Sequence, residues 1–260
     1  MRGLRRLLMA AAAALLAAAG ARAQTTAPDT RRSGFDTMGP RIQAMQRDDG
    51  QNPGMLWVAD GEVLWNKIFG ITFSCAHCHG DAKKSMRGVA AHYPDWDPIE
   101  KKPIDLTQRI NLCRTRHQLV LPLPPESEEM LSLEAYVAYQ SRGMPLAPST
   151  AKELDAPRER GRQQYLQRIG QLNLSCSLCH DRLAGHVLAG ATIPQGHVNG
   201  YPTYRLEWQG LGSLQRRVRN CLSGVRAEPP PFNSPEMVEL ELYLTQRSAG
   251  MKVEAPAVRP

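Results

Sequence analysis

The pentapeptide Cys176-Ser-Leu-Cys179-His180 restricts this chain more than any other stretch, because it sets an imidazole directly after a Cys-x-x-Cys pair of thiols. Two thiols at that separation can add across the two vinyl groups of one haem, and the histidine that follows can reach the iron beneath the same macrocycle. Standing alone, a Cys-x-x-Cys pair also serves zinc knuckles and redox dithiols. The trailing histidine selects haem, and a complete second copy, Cys75-Ala-His-Cys78-His79, makes the same selection again. Two covalently bound c-type haems are therefore expected, one held by Cys75 and Cys78, the other by Cys176 and Cys179. His79 and His180 are their proximal iron ligands.

The amino terminus carries Arg2, Arg5 and Arg6, an apolar Leu/Ala run from Leu7 to Ala19, and Ala21-Arg-Ala23 before Gln24. That pattern reads as a secretory signal peptide over residues 1–23. The apolar run falls short of the ~18 to 20 residues that cross a bilayer, so no membrane span is expected. Export to the periplasm agrees with haem attachment, which takes place outside the cytoplasm. The formal charge of +7 includes the four arginines of this leader, which leaves +3 on the mature chain. Neither a basic helix nor an aromatic-basic stripe accompanies that charge, so nucleic acid is not an expected partner.

An internal repeat sets the domain organisation. Residues 129–144, Glu-Met-Leu-Ser-Leu-Glu-Ala-Tyr-Val-Ala-Tyr-Gln-Ser-Arg-Gly-Met, return as residues 236–251, Glu-Met-Val-Glu-Leu-Glu-Leu-Tyr-Leu-Thr-Gln-Arg-Ser-Ala-Gly-Met. Met130, Leu133 and Val137 match Met237, Leu240 and Leu244 at helical spacing, with Ser127 and Ser234 placed as N-caps. Pro235 suits a first helical turn, and Gly143 and Gly250 suit left-handed caps. Upstream, Gly61 stands four residues before Trp65 and Gly161 four before Tyr165. That arrangement resembles the first helix of class I cytochrome c, which packs closely on the last one. Each half thus reads as helix, haem motif, long loop and closing helix. The expected fold is mainly α, with two tandem class I cytochrome c-like domains, 54–150 and 151–260, each holding a covalent c-type haem. Residues 24–53 are polar and mixed in charge, and read as an N-terminal arm that needs a partner surface to order.

The remaining thiols carry the less usual chemistry. A six-coordinate haem needs a second axial ligand, and neither half has a methionine in the loop just ahead of its closing helix, Met86 standing close to the first haem motif. Four of the six cysteines are consumed by haem attachment, which leaves Cys113 and Cys221. Cys113 precedes Ser127 by fourteen residues and Cys221 precedes Ser234 by thirteen, so the two stand at equivalent positions. A Cys113–Cys221 disulfide is the rival use in an oxidising compartment. Iron ligation accounts for the repetition directly, with His117 as the reserve ligand; His92, His186 and His197 read as surface or hydrogen-bonding residues. Five arginines, Arg205, Arg216, Arg217, Arg219 and Arg226, bracket Cys221, and guanidinium groups lower a thiol's pKa and attract small anions. Cys113 has Arg114, Arg116 and His117 beside it, so local charge does not say which thiol is reactive.

At these residues the chain resembles the SoxA family, the larger subunits of thiosulfate-oxidising SoxAX cytochromes, in their dihaem form. The likeness runs from Asn52-Pro-Gly through both haem motifs to Gly250-Met251. It is most specific at Arg217-Val-Arg-Asn-Cys221 and Gly224-Val-Arg-Ala-Glu-Pro229. The resemblance implies that Cys221 is both distal ligand of the second haem and the catalytic residue, that Arg217 binds substrate, and that His79 and Cys113 ligate the first haem. It implies oxidative conjugation of thiosulfate to a cysteine of a carrier protein, SoxYZ, in a heterodimer with a small monohaem cytochrome, SoxX. Two other classes compete. A dihaem electron-transfer cytochrome would carry out no bond chemistry, and a dihaem peroxidase would need an iron with a displaceable distal ligand, which thiolate at both irons disfavours.

Overall fold

The computed structural model describes residues 29–69 and 73–260, so the expected leader lies outside the described residues. In chain order the helices are α1 (Pro40–Arg47), α2 (Met55–Asn66), α3 (Cys75–His79), α4 (Ala82–Ser85), α5 (Leu106–Cys113), α6 (Glu128–Tyr139), α7 (Asp155–Leu166), α8 (Leu214–Gly224) and α9 (Pro235–Arg247). Strands are short. β1 (Asp95–Asp97) pairs antiparallel with β2 (Lys102–Ile104), and β3 (Val187–Leu188) with β4 (Ala191–Thr192). β5 (Thr203–Arg205) is the middle strand of a three-stranded sheet, between β6 (Gly210–Gly212) and the parallel β7 (Ala257–Arg259).

Gly61 and Gly161 each sit inside a helix, where glycine costs stability unless close approach requires it. A Cβ at Gly61 would lie 2.1 Å from the Ser132 carbonyl oxygen, and one at Gly161 would lie 1.9 Å from that of Glu239. Thus α2 meets α6, and α7 meets α9, at backbone contact, as the cytochrome-like spacing predicts. Trp65 and Tyr165, one turn further on, are buried. Both closing helices start at the expected caps, with Ser127 accepting from the Met130 N–H and Ser234 from the Met237 N–H. Gly143 and Gly250, at φ of 80° and 81°, then turn the chain. The segments beyond them pair with each other. The N–H of Gly143 donates to the Val253 carbonyl and that of Val253 to Met144, while Gly250 donates to Leu146 and Leu146 to Met251.

The stretch expected as a long loop is ordered in both halves. After each haem motif the chain makes a hairpin and then a helix, β1-β2-α5 in the first half and β5-β6-α8 in the second. At one constant offset, Asp95–Asp97 corresponds to Thr203–Arg205, Lys102–Ile104 to Gly210–Gly212, and the helix N-cap Asp105 to the N-cap Ser213. Strands of three residues hold too little alternation for a period-two pattern to register, and the matched positions share almost no residue types. The arm is also folded where described. Gln46, from α1, accepts from the Val258 N–H at 3.0 Å, and Asn52 donates to the Pro256 carbonyl at 2.9 Å. The surface against which residues 40–52 lie is the chain's own, formed by its carboxyl-terminal segment and by Tyr139 and Arg142, which reach Asp49.

Candidate functional site

Ser175 opens the second motif, its hydroxyl accepting from the Leu178 N–H, and Leu178–Arg182 then widens into a π turn that carries Cys179 and His180. His180 Nδ1 lies 2.8 Å from the Pro194 carbonyl oxygen. A carbonyl only accepts, so Nδ1 carries the proton and Nε2 keeps its lone pair for a metal. Gly196 lets the loop lie flat on this ring, since a Cβ there would be 3.1 Å from it. Asp181 is held by the Tyr165 hydroxyl at 2.9 Å and by Arg247 at 2.7 Å, which fixes the turn from its far side.

Helix α8 brings the thiol of Cys221. Ser213 caps it by accepting from the Arg216 N–H, and Arg217 and Cys221 follow one turn apart. The Cys221 thiol comes within hydrogen-bonding reach of His180, and within electrostatic reach of Cys176. Cys176, Cys179, His180 and Cys221 are thereby brought near one another. Desolvation by the surrounding protein pushes the Cys221 thiol up, but His180, Arg217 and Arg205 outweigh it and hold its pKa below the ordinary value.

In the first half Ser74 caps α3 by accepting from the His77 N–H, and Trp65 Nε1 donates to the Gly80 carbonyl at 3.0 Å, with its ring 5.7 Å from that of His79. Cys113, at the end of α5, lies within electrostatic reach of Cys75 and Cys78. Cys113 and Cys221 are both free thiols at separate motifs, so no disulfide joins them. Among the described residues no group of three or more His, Cys, Asp or Glu is set to hold a bare metal ion. Two thiols, an imidazole whose Nε2 keeps its lone pair and a further sulfur beside it form a donor set that fits a covalently held, six-coordinate haem.

Arg109 and Arg217 stand four residues before Cys113 and Cys221 respectively, yet their surroundings differ. Arg109 forms an ion pair with Asp97 at 2.8 Å and donates to the Tyr93 hydroxyl at 3.0 Å, and Arg116 binds Glu100 with a longer contact of 3.9 Å to Asp97. Asp97 is 1% exposed; burial would raise its pKa, but backbone N–H groups of Glu100 and Ile99 and the Arg109 guanidinium hold it low. Burial pushes the Cys113 thiol up, and these paired arginines do not reverse it. Arg217 takes part in none of the ion pairs among the described residues. Arg205, one of the five arginines that bracket Cys221 in the sequence, and Tyr201, which sequence reasoning missed, also lie within electrostatic reach of Cys221 and Arg217. Tyr201 stands far upstream of the thiol, and no local pattern marks it.

Between the halves lies a cavity of about 100 Å³ lined by Tyr93 and Tyr201, by Asp105 and Glu126, and by the repeat-equivalent Glu134 and Glu241. Burial, reinforced by neighbouring carboxylates, pushes Glu134 and Glu241 well above the usual glutamate range.

Comparison with known proteins places these features in a family. The model of the SoxA/TsdA cytochrome c domain matches residues 60–146 and 160–253. The L-cysteine S-thiosulfotransferase subunit SoxA of Pseudaminobacter salicylatoxidans is 40% identical over 216 residues, covering 82% of this chain and 76% of the relative. The subunit of the same name from Rhodovulum sulfidophilum is 35% identical, covering 89% of this chain and 81% of that one. A chain in the crystal structure of SoxXA from P. pantotrophus superposes with a TM-score of 0.85 at 32% identity, covering 88% of this chain and 87% of that chain.

Proposed function

The chain belongs to the SoxA/TsdA cytochrome c family and is an L-cysteine S-thiosulfotransferase, and on that premise we propose that it joins thiosulfate oxidatively to a carrier-protein cysteine and passes the electrons to a partner cytochrome c. Cytochrome c family membership implies covalently bound haem. We assign two, one in each of two tandem class I-like domains, residues 54–150 and 151–260, after an exported leader (1–23) and an arm (24–53). Cys75 and Cys78 with ligands His79 and Cys113 hold the first; Cys176 and Cys179 with ligands His180 and Cys221 hold the second. No described helix is long and apolar enough to cross a membrane. A periplasmic location, a small monohaem partner of the SoxX kind and a carrier of the SoxYZ kind complete the assignment; the likeness to a chain of a SoxXA complex supports the partner.

When bound, the haems supply one-electron acceptance at potentials kept low by an anionic sulfur donor. Arg217 holds the sulfonate end of thiosulfate, which directs the outer sulfur at Cys221. Joining the Cys221 thiolate to that sulfur forms one S–S bond and releases two electrons, which leave one at a time. The carrier thiolate then attacks the outer sulfur, Cys221 departs as thiolate, and the carrier keeps the sulfur-sulfonate group; the proton of the carrier thiol goes to solvent. The observation that carries this reading is the Cys221 thiol set against His180 with Arg217 beside it, outside any ion pair.

The test compares Cys221→Met with Cys113→Met in thiosulfate-dependent reduction of an external cytochrome, carrier and partner present. A thioether can ligate iron but cannot form and exchange an S–S bond. Cys221→Met should keep its haem and lose turnover, whereas Cys113→Met should keep turnover and raise the potential of the first haem. The reverse pattern would put the reactive thiol in the other half. Activity in both variants would leave the electron-transfer cytochrome standing instead.

A further inference from the structure

Asp97 and Arg205 occupy one position in the two copies of the hairpin. Each is the last residue of its strand, and each pairs with the first residue of the next strand, Asp97 with Lys102 and Arg205 with Gly210. Arg109 and Arg217 likewise occupy one position in the following helices, four residues before the distal cysteine. In the first half this pair of positions holds opposite charges, the Arg109–Asp97 ion pair at 2.8 Å. In the second half the same pair of positions holds two guanidinium groups.

The second-half pair is kept in place rather than splayed into solvent. Arg205 lies on the middle strand of its sheet, bonded on both edges, and its side chain is only 13% exposed. Trp208 stacks against Arg205 at 5.1 Å and against Arg216 of α8 at 4.2 Å, tying the hairpin to the first turn of the helix that carries Arg217 and Cys221. The carboxylate near Arg205 is Glu207, itself 51% exposed; it forms an ion pair with Nε at 3.0 Å that lacks the alignment of a hydrogen bond. Burial and then the charge of Arg217 push the Arg205 guanidinium below its ordinary pKa, the mark of like charges held together. Both arginines lie within electrostatic reach of the Cys221 thiol.

We propose that Arg205 is a second anion-binding residue of this site, holding the two negative charges of thiosulfate together with Arg217, and that Asp97 closes the corresponding site in the first half. The proposal rests on the reading of Cys221 as the thiol that receives sulfur. Two guanidinium forks suit a sulfonate with three oxygens, and two cations balance a dianion where one would leave a net charge in a partly desolvated slot.

The experiment uses the haem-loaded heterodimer with Arg205→Gln, Arg205→Asp and Arg205→Lys, read by KM and kcat for thiosulfate with carrier present, and by calorimetric binding of thiosulfate to the oxidised complex without carrier. Arg205→Gln should raise KM and weaken calorimetric binding by about tenfold or more with a smaller change in kcat. Arg205→Asp, which rebuilds the first-half ion pair, should weaken binding further, and Arg205→Lys should recover most of the loss. Unchanged affinity in the Gln and Asp variants would overturn the inference. So would equal loss in the Lys and Gln variants accompanied by a lowered melting temperature, because that pattern belongs to a brace for Trp208. A wild-type complex that turns over no thiosulfate would sink the functional reading alone, and the calorimetric comparison would still decide the role of Arg205.

Discussion

Arg109→Ala and Arg217→Ala remove the same residue from the same position of two structural copies, and they should do different damage. Arg109 compensates Asp97, which is 1% exposed, through a 2.8 Å contact. Breaking a buried ion pair from one side costs about 3 to 5 kcal/mol, because the stranded charge stays desolvated. Here the backbone N–H groups of Ile99 and Glu100 still reach Asp97 and Arg116 remains 3.9 Å away, so part of the compensation survives. Water also screens Arg109, whose side chain is 30% exposed. The expected cost is therefore about 2 to 3 kcal/mol, which for a chain of this size lowers Tm by roughly 5 to 10 °C. Arg217→Ala breaks no ion pair and removes a like charge from beside Arg205, so its Tm should match or exceed that of the wild type. Its kcat/KM for thiosulfate should fall by about 10- to 100-fold, the loss of one charged hydrogen bond. Thermal melts of the haem-loaded complexes, set beside thiosulfate-dependent cytochrome reduction, separate the two effects. A stable Arg109→Ala that loses turnover, or an Arg217→Ala that melts early and keeps its kcat/KM, would refute the assignment of a paired and a substrate-binding arginine.

Two further outcomes follow from the core. Glu241 is buried beside Asp105 and Glu134, and its pKa is raised, so the folded chain keeps a proton that the unfolded chain releases. Stability from this group is present below the ordinary glutamate pKa and is lost as pH rises above it. Glu241→Gln should match the wild type near pH 4 and gain on it toward pH 8, by up to about 1.4 kcal/mol per pH unit while the folded carboxyl stays protonated; denaturant melts with parallel pH profiles would contradict this. Gly161→Ala would press a methyl group to 1.9 Å from the Glu239 carbonyl oxygen, a backbone atom that cannot swing aside. The α7–α9 pair must separate, at a cost of about 1 to 3 kcal/mol, and a variant melting at the wild-type temperature would show that the contact is not close.

Much of the site was legible in the sequence because its rules act over a few residues. Covalent attachment needs Cys176, Cys179 and His180 in one run, and Cys75, Cys78 and His79 in another, whatever the rest of the chain does. Ser127 and Ser234 cap their helices through hydrogen bonds three residues long, and Gly61 and Gly161 betray a close helix crossing by the absence of a side chain. The even spacing of Cys113 and Cys221 before those caps was enough to mark them as equivalent.

Which of those two thiols has an arginine with a second guanidinium, rather than a carboxylate, at the matching hairpin position was not legible, since Arg109 and Arg217 occupy identical places in the local pattern. The difference lies in a hairpin of three-residue strands that carries no readable periodicity and delivers Asp97 to one helix and Arg205 to the other. Electrostatic pairing depends on distance in space, and the partners here are separated along the chain by a turn, a strand and a helical turn. A one-dimensional reading counts charges near a cysteine. Only the folded chain shows which of them an Asp97 has already neutralised, and which an Arg205 has doubled.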